Sequence, residues 1–182
     1  MLSWPIHRVL LLIRLRNSIE EKTTNASFET DIIPITPDEI KSVHRKDGWF
    51  FNWKKEYKEN PNHSIYKLVI REDNVIQGLI SLEPVPNQLY IEMHLIENAP
   101  HNYGKNKKYL GIAGNMVAFA CKLSFDLEYD GYVAFDAKTR LVDHYTETLG
   151  AQVIFSNDRM GIFTPSAKNL VNSYYKNYFS GR

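Results

Sequence analysis

The segment Lys108-Tyr109-Leu110-Gly111-Ile112-Ala113-Gly114 joins a basic residue to three small ones, and that composition suits a turn that holds a phosphate. Gly111, Ala113 and Gly114 remove side-chain bulk. At a helix start the first N–H groups lack internal partners and the macrodipole adds partial positive charge, so main chain alone can hold a pyrophosphate. Lys105, Lys107 and Lys108 add Coulombic attraction. Small residues at a helix start also let a helix lie close on a sheet, so this segment by itself leaves both readings open. Upstream, the run Leu89 to Glu97 alternates as a strand does, which places Tyr90, Glu92, His94 and Ile96 on one face. No metal centre is expected, because the histidines form no close ligand pair along the sequence and no acidic cluster accompanies them. The lone cysteine, Cys121, sits in Ala118-Phe119-Ala120-Cys121 and reads as a small core thiol. It excludes an intramolecular disulfide and points to a reducing cytoplasm.

These residues need a scaffold, and a chain of 182 residues has room for one domain with a proper core. A formal net charge of +1 gives no sign of a polyanionic partner, so no nucleic acid is expected. The N-terminal run Val9-Leu10-Leu11-Leu12-Ile13 ends at Arg14. It is shorter than the roughly 7–15 residues of a signal core or the roughly 20 of a membrane span. An amphipathic helix over about Pro5 to Lys22 is predicted instead, making residues 1–24 an N-terminal extension and residues 25–182 the main domain. That helix, or the Tyr174-Tyr175-Tyr178-Phe179 tail, offers a surface for a homodimer.

The main domain reads as a mixed α/β pattern. Phe28 to Ile35 is a strand, and Thr36-Pro37-Asp38-Glu39 a capped helix start running to about Arg45. The aromatic run Gly48 to Trp53 leads into a short helix before Asn60-Pro61, and its aromatics either pack the core or line a cleft. Ile65 to Arg71 and Val75 to Leu82 form a hairpin ended by Pro84 and Pro86, and Leu89 to Glu97 follows as a third strand. Beyond a long loop come a helix over Gly111 to Leu127, a strand over Tyr132 to Ala137 and a helix over Leu141 to Leu149. Strands over Gln152 to Phe155 and Met160 to Phe163 and a helix over Ser166 to Tyr178 complete the order.

The turn resembles the acyl-CoA site of the GNAT N-acetyltransferases, whose pattern is Q/R-x-x-G-x-G/A between a strand and the next helix. Lys108, Gly111 and Ala113 match it, with lysine replacing the usual first residue. Phe135-Asp136-Ala137-Lys138 followed by His144-Tyr145-Thr146-Glu147-Thr148-Leu149-Gly150-Ala151 resembles that family's next strand and its Y-x-x-x-L-G helix. Ala99-Pro100-His101-Asn102 resembles the loop of one GNAT subgroup.

The resemblance implies a GNAT-like acyl-CoA acyltransferase fold and an N-acetyltransferase moving an acetyl group from acetyl-CoA to a primary amine by direct attack. Leu95, Ile96 and Glu97 would pair with the pantetheine arm. Asn102, Lys108, Tyr109, Gly111, Ile112, Ala113, Gly114 and Asn115 would hold the rest of the cofactor. Tyr145 matches the tyrosine that protonates the departing thiolate, and Glu92 and His94 are candidates for the base. The acceptor would be a small-molecule or peptide amine, drawn by Asp47 or Glu56 beside the Trp49 to Tyr57 stretch. A non-catalytic acyl-CoA-binding or sensory module on the same fold is the competing expectation.

Overall fold

The computed structural model describes residues 18–156 and 158–180. The strands are β1 (Ser18–Glu21), β2 (Ser27–Pro34), β3 (Ser64–Ile70), β4 (Ile76–Val85), β5 (Tyr90–Asn98), β6 (Tyr109–Leu110), β7 (Val133–Asp136), β8 (Gln152–Val153) and β9 (Arg159–Ile162). The helices are α1 (Pro37–Ser42), α2 (Trp53–Glu59), α3 (Ile112–Asp126), α4 (Val142–Leu149) and α5 (Thr164–Tyr174). The strands form one mixed sheet in the order β6-β1-β2-β3-β4-β5-β7-β9-β8. Every neighbouring pair is antiparallel except β5 and β7, which run parallel.

Alternation along the strands divides the apolar residues between two faces. Ile80, Leu82, Ile91 and Met93 pack with Ile112, Met116 and Ala120 of α3 and Val171 of α5. Leu79 points the other way, to Ile40 of α1 and Trp49 and Trp53 around α2. Helices therefore cover both faces of the central strands. Buried aliphatic groups are worth about 1.5–3 kcal/mol per side chain, which makes these two layers the main source of stability.

The start of α1 follows the sequence expectation. Thr36 accepts from the Glu39 amide at 3.3 Å and Glu39 returns a bond to the Thr36 amide at 2.9 Å, with Pro37 in the first turn. The helix is shorter than expected, ending at Ser42 with a 3₁₀ turn at Arg45–Asp47. Residues 18–21, expected as the end of an N-terminal helix, are a strand instead. Ile19 is 1% exposed in the main core, and β1 pairs with β2 on one side and β6 on the other. Sheet pairing satisfies that backbone and buries Ile19, which a helix end so close to the sheet would not do. The rest of that expected helix, and the chain before it, lies outside the described residues.

Pro84 does not end its strand. Beyond Leu82, β4 has only β5 as a neighbour, so the missing Pro84 N–H breaks no ladder on the open side. The aromatic tail folds back onto α3: Phe179 stands edge-on to Phe125 at 5.0 Å and Tyr178 Oη is 2.7 Å from Asp126 Oδ1.

Glu39 also reaches Lys67, which is 4% exposed, and this ion pair is the first cause holding the Glu39 carboxyl below its usual range. A depressed folded-state pKa contributes stability above the unfolded carboxylate value, about 4.3, which is lost as pH falls through the folded value. Glu39→Gln should therefore lower stability at pH 7 by about 1–3 kcal/mol, from the lost pair and cap together. Urea denaturation of variant and natural chain should converge as the pH is taken below the depressed folded-state value.

Candidate active site

β5 and β7 are parallel neighbours over a short stretch. Ile91 faces Val133 and Glu92 faces Ala134, and no further pairing joins them. From Met93 onward the β5 edge that faces away from β4 has no strand partner among the described residues. The divergence coincides with an irregularity in β5: Leu82 faces Met93, Ser81 faces Leu95, and His94 is the extra residue of a bulge.

The bulge overturns the expected alternation. Ile96 and Met93 both lie on the α3 face, packed against the main core, while Leu95 joins the opposite cluster. Tyr90, Glu92, His94 and Ile96 therefore do not share a face.

Two clefts open where the strands part. One, of about 570 Å³, lies against α3 and is lined by Met93, Ile96, Gly111 to Gly114 and Tyr145. The other, of about 500 Å³, is lined by Met93 to Ile96, Phe50, Phe51, Tyr103, Lys138 and Tyr145. Met93, Ile96 and Tyr145 belong to both.

The first cleft has the features of an anion site. Gly111 caps α3 with φ 87°, a left-handed conformation that other residues adopt at a cost, and no side chain caps the helix. Ala113 is exposed and Gly114 half-buried, so the first turn of α3 faces the opening with its free N–H groups. A Cβ on Gly114 would stand 2.5 Å from Tyr174 Oη. Lys107 joins the lining. Lys108 stands beside it, 5.0 Å over the Tyr109 ring.

Several residues expected to touch a cofactor are used inside the protein. Asn102 is 1% exposed; its Nδ2 donates to Gln77 and its Oδ1 accepts from the Tyr109 amide at 3.2 Å. It shapes the turn rather than facing the cleft. Asn115 is fully buried and donates to Thr30 at 2.8 Å, between α3 and the sheet. Tyr109 and Ile112 are buried apolar supports that border the cleft. Glu97 points to the α2 face, where its carboxylate accepts from the amides of Phe50 and Phe51, from Trp53 Nε1 at 2.6 Å and from Tyr103 Oη at 2.8 Å. Burial and Glu97 together push the Tyr103 hydroxyl up.

Tyr145 stands at the junction of the clefts, half-buried, its ring edge-on to Phe135 at 5.5 Å. Its hydroxyl makes no hydrogen bond among the described residues, and burial raises its pKa, so it keeps its proton through the neutral range. Glu92 is clamped by Arg159 through bonds of 2.7 and 2.5 Å, and Arg159 also reaches Asp136 at 3.2 Å. Glu92 lines neither cleft. His94 lines the second cleft; its Nε2 is 2.9 Å from Glu83 Oε2, and its Nδ1 has no partner among the described residues.

The aromatic run serves both expected purposes: Trp49 and Trp53 are core, while Phe50 and Phe51 form cleft wall. Glu56 does not face the cleft, being bonded to His63, Ser81 and Asn60, and Asp47 borders a separate depression beside α1. Met93, Tyr103 and Tyr174 are lining residues that strand and helix periodicity did not single out. Cys121 is buried as expected, and burial pushes its thiol well up.

Neither a protein-family model nor a curated protein sequence matches the chain. Solved structures do. A chimera of spermidine N-acetyltransferase SpeG from Vibrio cholerae and hSSAT superposes at a TM-score of 0.55 with 17% identity, over 77% of this chain and 98% of the other. AtaTR bound with acetyl-CoA gives 0.55 with 13% identity, over 78% and 97%. A Bacillus subtilis acetyltransferase in complex with CoA gives 0.51 with 14% identity, over 75% and 98%.

The chain has the fold of the GNAT acetyltransferases. This GNAT fold is the α/β arrangement that the turn at Lys108 to Gly114 and the Tyr145 helix implied. It brings those motifs together at the split between β5 and β7. No helix among the described residues is long and apolar enough to cross a membrane.

Glu97 gathers three donors from residues 50–53 and a fourth from Tyr103, so its loss should be felt first in residues 48–53. Glu97→Ala should cost about 2–4 kcal/mol by leaving buried donors unpaired. Hydrogen exchange should show faster opening of residues 48–53 than of α3.

Proposed function

We propose that the chain is a GNAT-family N-acetyltransferase that moves the acetyl group of acetyl-CoA to a primary amine by direct attack in a ternary complex. The observation that carries this reading is the meeting of two clefts at Met93, Ile96 and Tyr145, one of them ending on the uncapped first turn of α3. Acetyl-CoA enters by the α3 side, its pyrophosphate on the N–H groups of Gly111 to Gly114 and its pantetheine along the unpaired edge of β5 from Met93 to Ile96. The amine enters from the side of Phe50 and Phe51. Acetyl-CoA is the co-substrate, and solved relatives of the fold carry it or CoA.

The amine nitrogen attacks the thioester carbon, a backbone N–H of the open β5 edge stabilises the oxyanion, and collapse expels the CoA thiolate. Tyr145 gives that thiolate its proton, a role suited to a half-buried phenol with an unshared hydroxyl. The proton lost by the amine goes to His94. A carboxylate at Nε2 favours the tautomer with its proton there and leaves Nδ1 as acceptor. Glu92 is assigned no proton, because the Arg159 guanidinium holds both of its oxygens. Lys138 and Arg140 in the wall of the second cleft disfavour a polycation, so the acceptor is an amine of low positive charge, small molecule or peptide.

Isothermal titration with acetyl-CoA tests the cofactor half. The natural chain should bind, and Gly111→Glu, which charges and fills the turn at a positive φ, should not. Tyr145→Phe should keep acetyl-CoA binding and lower kcat by about 10²-fold in an amine panel. Acetyl-CoA binding with no transfer to any amine would instead favour a sensory module on this fold.

A further inference from the structure

The fold brings together histidines that are far apart in sequence. His63 lies between α2 and β3, Glu83 near the end of β4 and His94 at the β5 bulge. The imidazoles stack at 3.7 Å and 13°. One ligand atom from each of His63, Glu83 and His94 lies within 4.8 Å of the others. This corrects the expectation of no histidine pair. We propose that His63, Glu83 and His94 form a binding site for one divalent transition-metal ion of the zinc type.

His63 Nδ1 is 2.7 Å from Glu56 Oε1, and the same carboxylate accepts from Ser81 at 2.6 Å and Asn60 at 2.8 Å. A carboxylate that already collects the Ser81 hydroxyl and the Asn60 amide serves as an acceptor toward His63 as well. Nδ1 of His63 therefore donates to it, and in the neutral ring the Nε2 lone pair faces Glu83 Oε2 at 3.4 Å. A lone pair facing a carboxylate oxygen asks for a cation between them. His94 Nε2, 2.9 Å from the same oxygen, completes a set of two imidazole nitrogens and one carboxylate.

In a tetrahedral zinc site with arms of about 2.0–2.2 Å, ligand atoms stand roughly 3.3–3.6 Å apart; His63 Nε2 is already 3.4 Å from Glu83 Oε2, and His94 Nε2, at 2.9 Å, must draw back from it. The His63 to Glu56 contact is the outer carboxylate that metal-bound histidines use to fix tautomer and ring orientation. The two carboxylates match the charge of a divalent ion. An N₂O donor set suits Zn²⁺, Co²⁺, Ni²⁺ and Cu²⁺, whereas Mg²⁺ and Ca²⁺ prefer six or more oxygens. Binding must turn the stacked rings so that both Nε2 atoms converge, and among the described residues the His94 ring, at the surface, is hydrogen-bonded only to Glu83. Occupancy moves the His94 proton to Nδ1, so metal binding and proton acceptance are alternative states of that residue. An ion there would tie the loop before β3, the end of β4 and the bulge together.

Titration of the full chain with Co²⁺, followed by Zn²⁺ displacement, tests the site through ligand-field absorption. One Co²⁺ per chain is expected, displaced by Zn²⁺ and not by excess Mg²⁺. His63→Gln and Glu83→Gln should each weaken binding at least a hundredfold, and Glu56→Gln by about 10- to 100-fold, with circular dichroism confirming each fold. Absence of a Co²⁺ spectrum, or an affinity that His63→Gln and Glu83→Gln leave unchanged, would overturn the proposal. A protonated His63 would then fill the gap.

Discussion

At His94 β5 carries one residue more than the facing stretch of β4, since Leu82 faces Met93 and Ser81 faces Leu95. A bulge increases local twist and bends its strand. On the far side β5 keeps its parallel partner only through Ile91 and Glu92, so the bend separates it from β7 just where the bulge begins. Both clefts and the unpaired backbone between them depend on that separation. The same extra residue turns Leu95 and Glu97 toward α2 and leaves Met93 and Ile96 toward α3.

The open strand edge needs support on each side. On the α2 side, Glu97 gathers the amides of Phe50 and Phe51 with the Trp53 and Tyr103 side chains, which docks the loop after α1 against β5. On the β7 side, Arg159 joins Glu92 and Asp136 across neighbouring strands at the last point where they pair. A carboxylate expected to face a cofactor and one expected to take a proton are thus both fixed partners in the frame. Buried, multiply bonded carboxylates make precise supports because each lost bond leaves a desolvated group behind.

Which parts were legible follows from what each signal depends on. The cap at Thr36 and the left-handed Gly111 are local, and their residue types announce them. The positions of Gly111, Ala113 and Tyr145 could be read because their motifs are contiguous. Asn102 and Asn115 stand in the same short segment, but their partners Gln77 and Thr30 lie on other strands, so only the fold shows them turned inward. The bulge left one local trace: the apolar alternation of Leu89, Ile91, Met93 and Leu95 slips at Ile96 and Glu97, but the extra residue itself is defined only relative to β4. The strand at Ser18 was missed for a similar reason, because β6, one of its partners, is a two-residue strand far along the chain. The His63 and His94 stack has no local trace at all.

The placement of Tyr145 links these points. Its ring is fixed by Phe135 of β7, while the cleft it faces is bounded by Met93 and Ile96 of β5. Were the two strands paired along their length, those side chains would close on the phenol and no substrate atom could reach it. The split leaves its hydroxyl without a partner among the described residues while burial raises its pKa. A phenol that keeps its proton near neutral pH, and shares it with none of the described residues, is suited to a leaving group that arrives with the substrate. The bulge at His94 therefore shapes the cleft and, through it, the acid that the proposed reaction requires.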